Sequence, residues 1–281
     1  MRDPIVPPPL HRPHWRDRIV TYFRKRNWRG FIRLYDLLKP IPARRSLRAS
    51  CRYGSQFFLT PWDSVDSHVI KEGFYESEVL EALRPQLGPG KVLWVIGANF
   101  GLHTVTAKWL HPETRVVAFE PSPAMGARLI ENCELNAVSV ELHAYALSDS
   151  RGAFPFFANN SGNPGMSTLH PVASFSYENR FTVATLTAAE VIEHNLAPAP
   201  HVIILDAEDA ETQVLRGFGG HLSDPNLTHI VLEAPNAFLE SRKPEELYAM
   251  LDGAGFALSK LERRENTAHS LSNFLAVRRS A

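Results

Sequence analysis

The segment Lys91-Val92-Leu93-Trp94-Val95-Ile96-Gly97-Ala98-Asn99-Phe100-Gly101 constrains the fold more than any other part of the chain. Its apolar run reads as a buried strand, its two glycines as a tight turn, and residues Leu102 to Leu110 as the helix that leaves the turn. A second apolar run, Val116-Val117-Ala118-Phe119, ends on the carboxylate of Glu120, nineteen residues beyond Gly101. Strand, glycine turn, helix, strand and terminal acid make the half-unit that holds an adenosine group in doubly wound α/β proteins.

The residue types suit that task. Gly97 and Gly101 carry no Cβ, so the backbone can turn sharply and approach a ligand closely. Asn99 tolerates unusual backbone angles and offers an amide. The helix from Leu102 presents free N–H groups that favour a carboxylate or phosphate over the turn. Glu120 is placed to accept both hydroxyl hydrogens of a ribose, and Pro121 turns the chain away.

Nicotinamide or flavin dinucleotides and S-adenosylmethionine both use such a turn. A G-x-G-x-x-G fingerprint with Gly101 as its second glycine would need glycines at Asn99 and Thr104, so the dinucleotide pattern fails twice. A glycine turn that joins two core elements and binds nothing is the third reading.

Further along, Gly73-Phe74-Tyr75-Glu76, Gly97-Ala98-Asn99-Phe100-Gly101, Phe119-Glu120-Pro121-Ser122-Pro123, the pair Asn132 and Asn136, Asp206-Ala207-Glu208-Asp209-Ala210-Glu211 and Val214-Leu215-Arg216-Gly217 follow one another in order. As an ordered set they resemble the motifs G-x-Y-E, G-A-N-x-G, F-E-P-x-P, paired asparagines, D-x-E-G-x-E and V-L-x-G of the FkbM-type methyltransferases, a branch of the Rossmann-like S-adenosylmethionine-dependent enzymes. Three positions differ from that pattern: Val95 and Ile204 stand where the family has an acid and a lysine, and Asp209 stands where it has a glycine. Those departures bear on cofactor affinity and activity more than on fold.

The resemblance implies an α/β fold of the Rossmann-like class I methyltransferase type, with a mostly parallel central sheet and helices on both faces. Across 281 residues the natural division is a basic helical arm over 1–53 and a methyltransferase domain over 54–281. The arm holds 14 Lys and Arg against 3 Asp and Glu, the remainder 16 against 27, so a neutral chain carries about +11 and −11 in its two parts. Trp15, Ile19 and Phe23, then Phe31, Tyr35 and Leu38, recur at helical spacing and predict two short amphipathic helices. Such an arm either folds over the acidic domain, stays a solvated face, or attracts an anionic partner. Direct nucleic-acid binding is not expected, because no binding module is present and the domain is not basic. With no apolar run near the roughly 20 residues of a bilayer span, and no signal-peptide pattern after Met1, a cytoplasmic location is expected. Cys51 and Cys133 are too few for a disulfide framework.

Beyond the first two strands the pattern predicts a helix over Ala124 to Asn136, a strand over Val138 to Leu147, a turn-rich stretch at 159–165, and an added strand at Phe181 to Ala184. It continues with a helix over Ala188 to His194, a buried strand at His201 to Leu205, strands at Ile230 to Leu232 and Phe274 to Val277, and a helix over Pro244 to Ala254. In the strand order that the resemblance implies, the strand ending at Asp206 lies beside the one ending at Gly97. That is the switch point where open α/β sheets bind ligands.

The cofactor-binding set is therefore Glu76, Gly97, Ala98, Asn99, Gly101, Glu120, Pro121, Ser148 and Asp206, and the cofactor is S-adenosyl-L-methionine. Asp206, Glu208 and His103 are the catalytic candidates, with Glu233 and His170 as further ones. Asp206 and Glu208 could deprotonate an acceptor hydroxyl, bind a cation, or cap the following helix. Asp209 and Glu211 fall in that helix's first turn and read as capping or solvated charges. A metal site lacks a second, distant set of ligands, so none is expected. The expected reaction is O-methylation of a sugar, glycan or small metabolite, the alternative being a binding protein that keeps the fold without efficient turnover.

Overall fold

The computed structural model describes residues 47–158, 168–169, 179–262 and 271–279. The two amphipathic helices expected before residue 40, the turn-rich stretch 159–165 and His170 lie outside the described residues.

The described chain opens with a hairpin, β1 (Leu47–Ser50) and β2 (Gln56–Leu59), followed by α1 (Ser64–Glu72) and α2 (Ser77–Leu83). Asp63 starts α1 by accepting from the amides of Val65 and Asp66, and Gly73, at φ 90°, ends it. Then come β3 (Val92–Ile96), α3 (Leu102–Leu110), β4 (Arg115–Phe119), α4 (Pro123–Asn136) and β5 (Glu141–His143). Three further strands, β6 (Ala146–Leu147), β7 (Gly152–Ala158) and β8 (Asn179–Leu186), precede α5 (Ala188–Glu193), β9 (Val202–Leu205), α6 (Glu211–Gly217) and β10 (His229–Pro235). The short α7 (Phe238–Ser241), α8 (Glu245–Gly253), β11 (Phe256–Lys260) and β12 (Leu271–Arg278) complete the order.

The central sheet runs β11-β12-β10-β9-β3-β4-β5. From β10 to β5 every pairing is parallel, while β12 is antiparallel to both β10 and β11. The expected Rossmann-like, mostly parallel architecture is the observed one, and β9 lies directly beside β3. Successive residues of β3 point to opposite faces. Leu93 and Val95 pack with residues of α1 to α4, whereas Trp94 and Ile96 pack with α5, α6 and α8. Both faces are thus covered, and all four residues of β9 are buried, as a continuous apolar run at the centre of a parallel sheet requires.

Two features differ from the sequence reading. The single strand expected over Val138 to Leu147 is broken: β5 closes the central sheet, and β6 pairs with β8 in a second sheet of order β6-β8-β7. The alternation of Val138 to Leu147 carries no signal for which of two sheets each part joins, so the break was invisible in the pattern. The hairpin at Leu47–Leu59 spans the expected boundary at residue 53 and is tied to the domain by the paired asparagines. Asn132 Oδ1 accepts from the Phe58 amide at 2.9 Å and its Nδ2 donates to the Phe100 carbonyl at 2.9 Å. Asn136 Oδ1 accepts from the Gln56 amide at 2.7 Å, and its Nδ2 donates back to the Gln56 carbonyl at 2.6 Å. Two side chains on α4 therefore complete the edge of β2 as a neighbouring strand would. Among the described residues no helix is long and apolar enough to cross a membrane.

Candidate active site

The turn after β3 is closed by its own hydrogen bonds. The amides of Gly97 and Ala98 donate to the Phe119 carbonyl at 3.0 and 3.1 Å, and the Gly101 amide donates to Ala98 at 2.9 Å. The Asn99 amide donates to Glu120 Oε2 at 2.7 Å, and the Phe100 amide donates to Asn99 Oδ1 at 2.8 Å. Every amide from Gly97 to Gly101 is thus taken within the protein, so the turn itself offers no donor to a phosphate, and the donors expected for an anion are those at the start of α3.

The glycines act differently as well. A Cβ on Gly97, at φ 81°, would collide with the carbonyl oxygen of Asp206, so this glycine lets the ends of β3 and β9 meet. A Cβ on Gly101, at φ 91°, would lie 2.9 Å from Leu129 Cγ and 3.2 Å from Val105 Cγ2. Gly101 therefore serves helix packing and lines neither of the cavities described next.

Two cavities flank the turn, with about 640 and 700 Å³ of open space including their mouths. Gly97, Asn99, Asp206 and Glu208 line both, so the two form one curved site. The first also takes in Glu120, Pro121 and Ser122, with apolar walls from Met125, Leu147, Phe156 and Leu169. Glu120 is buried; its Oε1 accepts from the Ser122 amide at 2.7 Å, while Oε2 holds Asn99. Burial pushes its carboxyl up to about 7, against the lowering effect of those two amides. Each oxygen retains a lone pair, which suits a diol that can donate twice.

The second cavity is acidic. Glu76, Asp206, Glu208 and Glu233 line it with His103, and no Lys or Arg does so among the described residues. Burial first, and then the neighbouring carboxylates, Glu208 foremost, raise Asp206 well above the usual carboxylate range. Burial and the charges of Glu233 and Glu211 push Glu208 to about 9. Such a cluster binds protons tightly when empty and favours a cationic occupant. Val95 and Ile204 lie on the same wall, so the acid missing at Val95 faces a cavity already furnished with four carboxylates.

The remaining candidates are placed as follows. Ala98 lines the second cavity. His103 does too, with its ring edge-on to Phe74 at 5.4 Å and its Nδ1 without a hydrogen-bond partner. Burial lowers its pKa to about 4, which makes it a weak base. Ser148 lines neither cavity: its amide donates to the Leu186 carbonyl at 3.0 Å, and its own carbonyl abuts Gly217. Asp209 is exposed. Of the two readings offered for Glu211, a solvated charge is not what is found: its Oε1 accepts from the Ala207 amide at 2.9 Å, its carboxylate also accepts from its own backbone amide in the first turn of α6, and burial raises it to about 7. Ala210, the residue before α6, makes no side-chain cap. Sequence reasoning missed Phe156 and Leu169, because both come from segments outside the alternating α/β pattern. Among the described residues no three His, Cys, Asp or Glu are grouped to hold a metal ion.

A family model for the methyltransferase FkbM domain matches residues 96–258. The hexuronic acid methyltransferase AglP of Haloferax volcanii is 28% identical over 193 residues, covering 68% of this chain and 74% of its own. The 31-O-demethyl-FK506 methyltransferase FkbM of Streptomyces tacrolimicus is 32% identical over 135 residues, 47% of this chain and 49% of its own. Among solved structures, the magnesium protoporphyrin IX methyltransferase of Synechocystis PCC 6803 with bound SAM superposes with a TM-score of 0.44 at 12% identity, covering 94% of this chain and 97% of that one.

Proposed function

The chain belongs to the FkbM-domain methyltransferases, and on that premise we propose that it transfers a methyl group from S-adenosylmethionine to a hydroxyl oxygen of a sugar, glycan or small metabolite. The observation that carries this reading is the curved site itself, with a buried carboxylate in an apolar-walled limb and a carboxylate cluster in the limb beyond. Those residues fit the donor: Glu120 matches a ribose diol, Phe156, Leu147 and Met125 match a flat base, and the acidic limb matches the cationic methionine end.

When bound, the donor supplies a methyl group already activated on a sulfonium, so no covalent nucleophile is needed from the protein. Glu120 orients the nucleoside, and the apolar walls exclude water from it. Glu76, Glu208 and Glu233 hold the positive end by their field. Asp206, which lines both limbs, accepts the proton of the acceptor hydroxyl as the new bond forms; its raised proton affinity makes it a stronger base than an ordinary carboxylate. His103 is not the base we assign, because it is held neutral with a low affinity for a proton. Oxygen is assigned as the acceptor atom because one relative is named for a hexuronic acid and another for 31-O-demethyl-FK506.

The test is formation of S-adenosylhomocysteine with neutral hexosides, hexuronic acids and hydroxylated macrocycles as acceptors. Asp206→Asn should lower turnover by about 10²-fold or more, the scale of general-base catalysis, with product affinity within a few-fold of wild type. A chelator should leave the wild-type rate unchanged. A fully active Asp206→Asn removes Asp206 from the chemistry, and a wild type that binds neither donor nor product refutes the whole reading.

A further inference from the structure

Glu208 and Asp209 are consecutive non-glycine residues in the left-handed region, at φ 49° and 72°. Side chains rarely adopt that conformation, and two in succession do not persist unless the surroundings impose it. The helix that follows braces only the ends of the turn: Glu211, the first residue of α6, accepts from the Ala207 amide at 2.9 Å, and the Ala210 amide donates to the Ala207 carbonyl at 3.3 Å. Between the two left-handed residues the hold is a strap from outside the central sheet. The Thr168 hydroxyl donates to the Glu208 carbonyl at 2.7 Å. Thr168 is itself fixed to β7: its amide donates to the Phe157 carbonyl at 3.1 Å and its carbonyl accepts from the Phe157 amide at 2.9 Å. It is 4% exposed, so water does not compete for the bond.

This arrangement links three parts of the site. The Glu208 carbonyl belongs to the peptide plane that joins the two left-handed residues, and holding it fixes the direction in which the Glu208 side chain leaves the backbone. Thr168 also carries Leu169, and its partner Phe157 follows Phe156; Leu169 and Phe156 both line the first cavity with Glu208. One hydroxyl thus ties the turn that bears a carboxylate of the cluster to the wall that covers the nucleoside limb.

We infer that Thr168 is a positioning residue, whose hydroxyl holds the strained Glu208-Asp209 turn in its site-forming conformation and locks the β7 ribbon onto it. The consequence for catalysis rests on the methyl-transfer reading above, whereas the consequence for the turn does not. Valine is isosteric with threonine and keeps the backbone bonds to Phe157, while glycine at position 209 would adopt the left-handed conformation without strain. Those two facts define the test.

Hydrogen exchange of the segment 205–212 and steady-state methyl transfer are measured for wild type, Thr168→Val, Thr168→Ser and Thr168→Val with Asp209→Gly. Thr168→Val should exchange this segment about tenfold faster, the equilibrium equivalent of one lost hydrogen bond, and should lower kcat by a similar factor while KM for the acceptor changes less. Thr168→Ser should restore both, and Asp209→Gly should recover turnover in the Thr168→Val background. Exchange and kcat of Thr168→Val equal to wild type would overturn the inference, as would a Thr168→Ser defect as large as that of valine. A wild type without methyl transfer would count against the proposed function alone, because the exchange measurement still decides whether the strap holds the turn.

Discussion

Glu120 is the residue for which structure converts most directly into a measurable pH dependence. In the folded chain its carboxyl lies at about 7, against an ordinary value of 4.5, because burial outweighs the two amides that bond it. The native state therefore binds this proton more tightly than the unfolded chain does. Stability from this group is fully present below pH 4.5 and is lost as pH rises through 7. A shift of that size corresponds to about 3 kcal/mol, or roughly 6–12 °C of melting temperature for a domain of this size. Glu120→Gln cannot ionise; its amide nitrogen faces one of the two backbone donors and lowers stability at every pH. The variant should nevertheless lack this part of the decline, so its melting temperature relative to wild type should rise from pH 5 to pH 8 without ligand. The same variant should bind S-adenosylhomocysteine about tenfold or more weakly, since it removes a charged hydrogen-bond acceptor from the ribose. Thermal melts from pH 5 to 8, with and without S-adenosylhomocysteine, make the comparison, and the difference between the two proteins removes the contribution of the other raised acids. Parallel curves for wild type and Glu120→Gln across that range would refute the buried-charge argument, and unchanged affinity would take Glu120 out of the ribose site.

Two further outcomes follow from the same geometry. Gly97→Ala should destabilise the fold by about 2–5 kcal/mol, from the positive φ and the collision with the Asp206 carbonyl, and a denaturant midpoint within error of wild type would show that β3 and β9 can part without cost. At pH 7 the binding of S-adenosylmethionine should release more protons than that of S-adenosylhomocysteine, because the sulfonium charge favours ionisation of Asp206 and Glu208; calorimetry in buffers of different ionisation enthalpy measures this, and equal release would remove the cluster from the sulfur.

How much of this was legible in the sequence depends on what fixes each part. The edge formed by β3, β4 and β9 could be read because its demands fall on residue type: apolar runs for the buried strands, Gly97 where two backbones meet, Glu120 at a strand end. Asn132 and Asn136 stood out as a pair, but their task of completing the edge of β2 required the helix and the hairpin to be seen together. The role of Gly101 was misread for a similar reason, since a glycine opposite Leu129 and a glycine beneath a ligand look alike in one dimension. Phe156, Thr168 and Leu169 were illegible. They reach the site from a second sheet whose pairing partners are far apart in the chain, and no periodicity links them to Glu208. Ser148 shows the converse: a polar residue assigned to the cofactor set just past an expected strand end, whose amide serves the strand pairing at Leu186.

The acidic limb also limits what the chemistry can be. Four carboxylates without a lining Lys or Arg among the described residues would repel one another in an empty site, and Asp206 and Glu208, raised by burial first and by these neighbours next, express that cost. On the proposed reading the cluster faces a positive charge at both ends of the reaction. Before transfer it faces the cationic sulfur; afterwards Asp206 holds the proton taken from the acceptor. The sulfur loses its charge as the carboxylate gains a proton, so the net charge of the site is conserved through the step. A carboxylate whose pKa is raised by its neighbours is suited to that exchange, because its affinity for the proton increases as the neighbouring cation is discharged. An amine acceptor would attack as its free base and carry the positive charge itself after transfer, so it needs no proton acceptor in the same step. Turnover that follows ionisation of Asp206, with the pH at half-maximal rate lowered in Glu208→Gln by loss of a neighbouring negative charge, is the behaviour this argument requires. A pH profile unmoved by that substitution would mean that Glu208 does not act on the proton-accepting group.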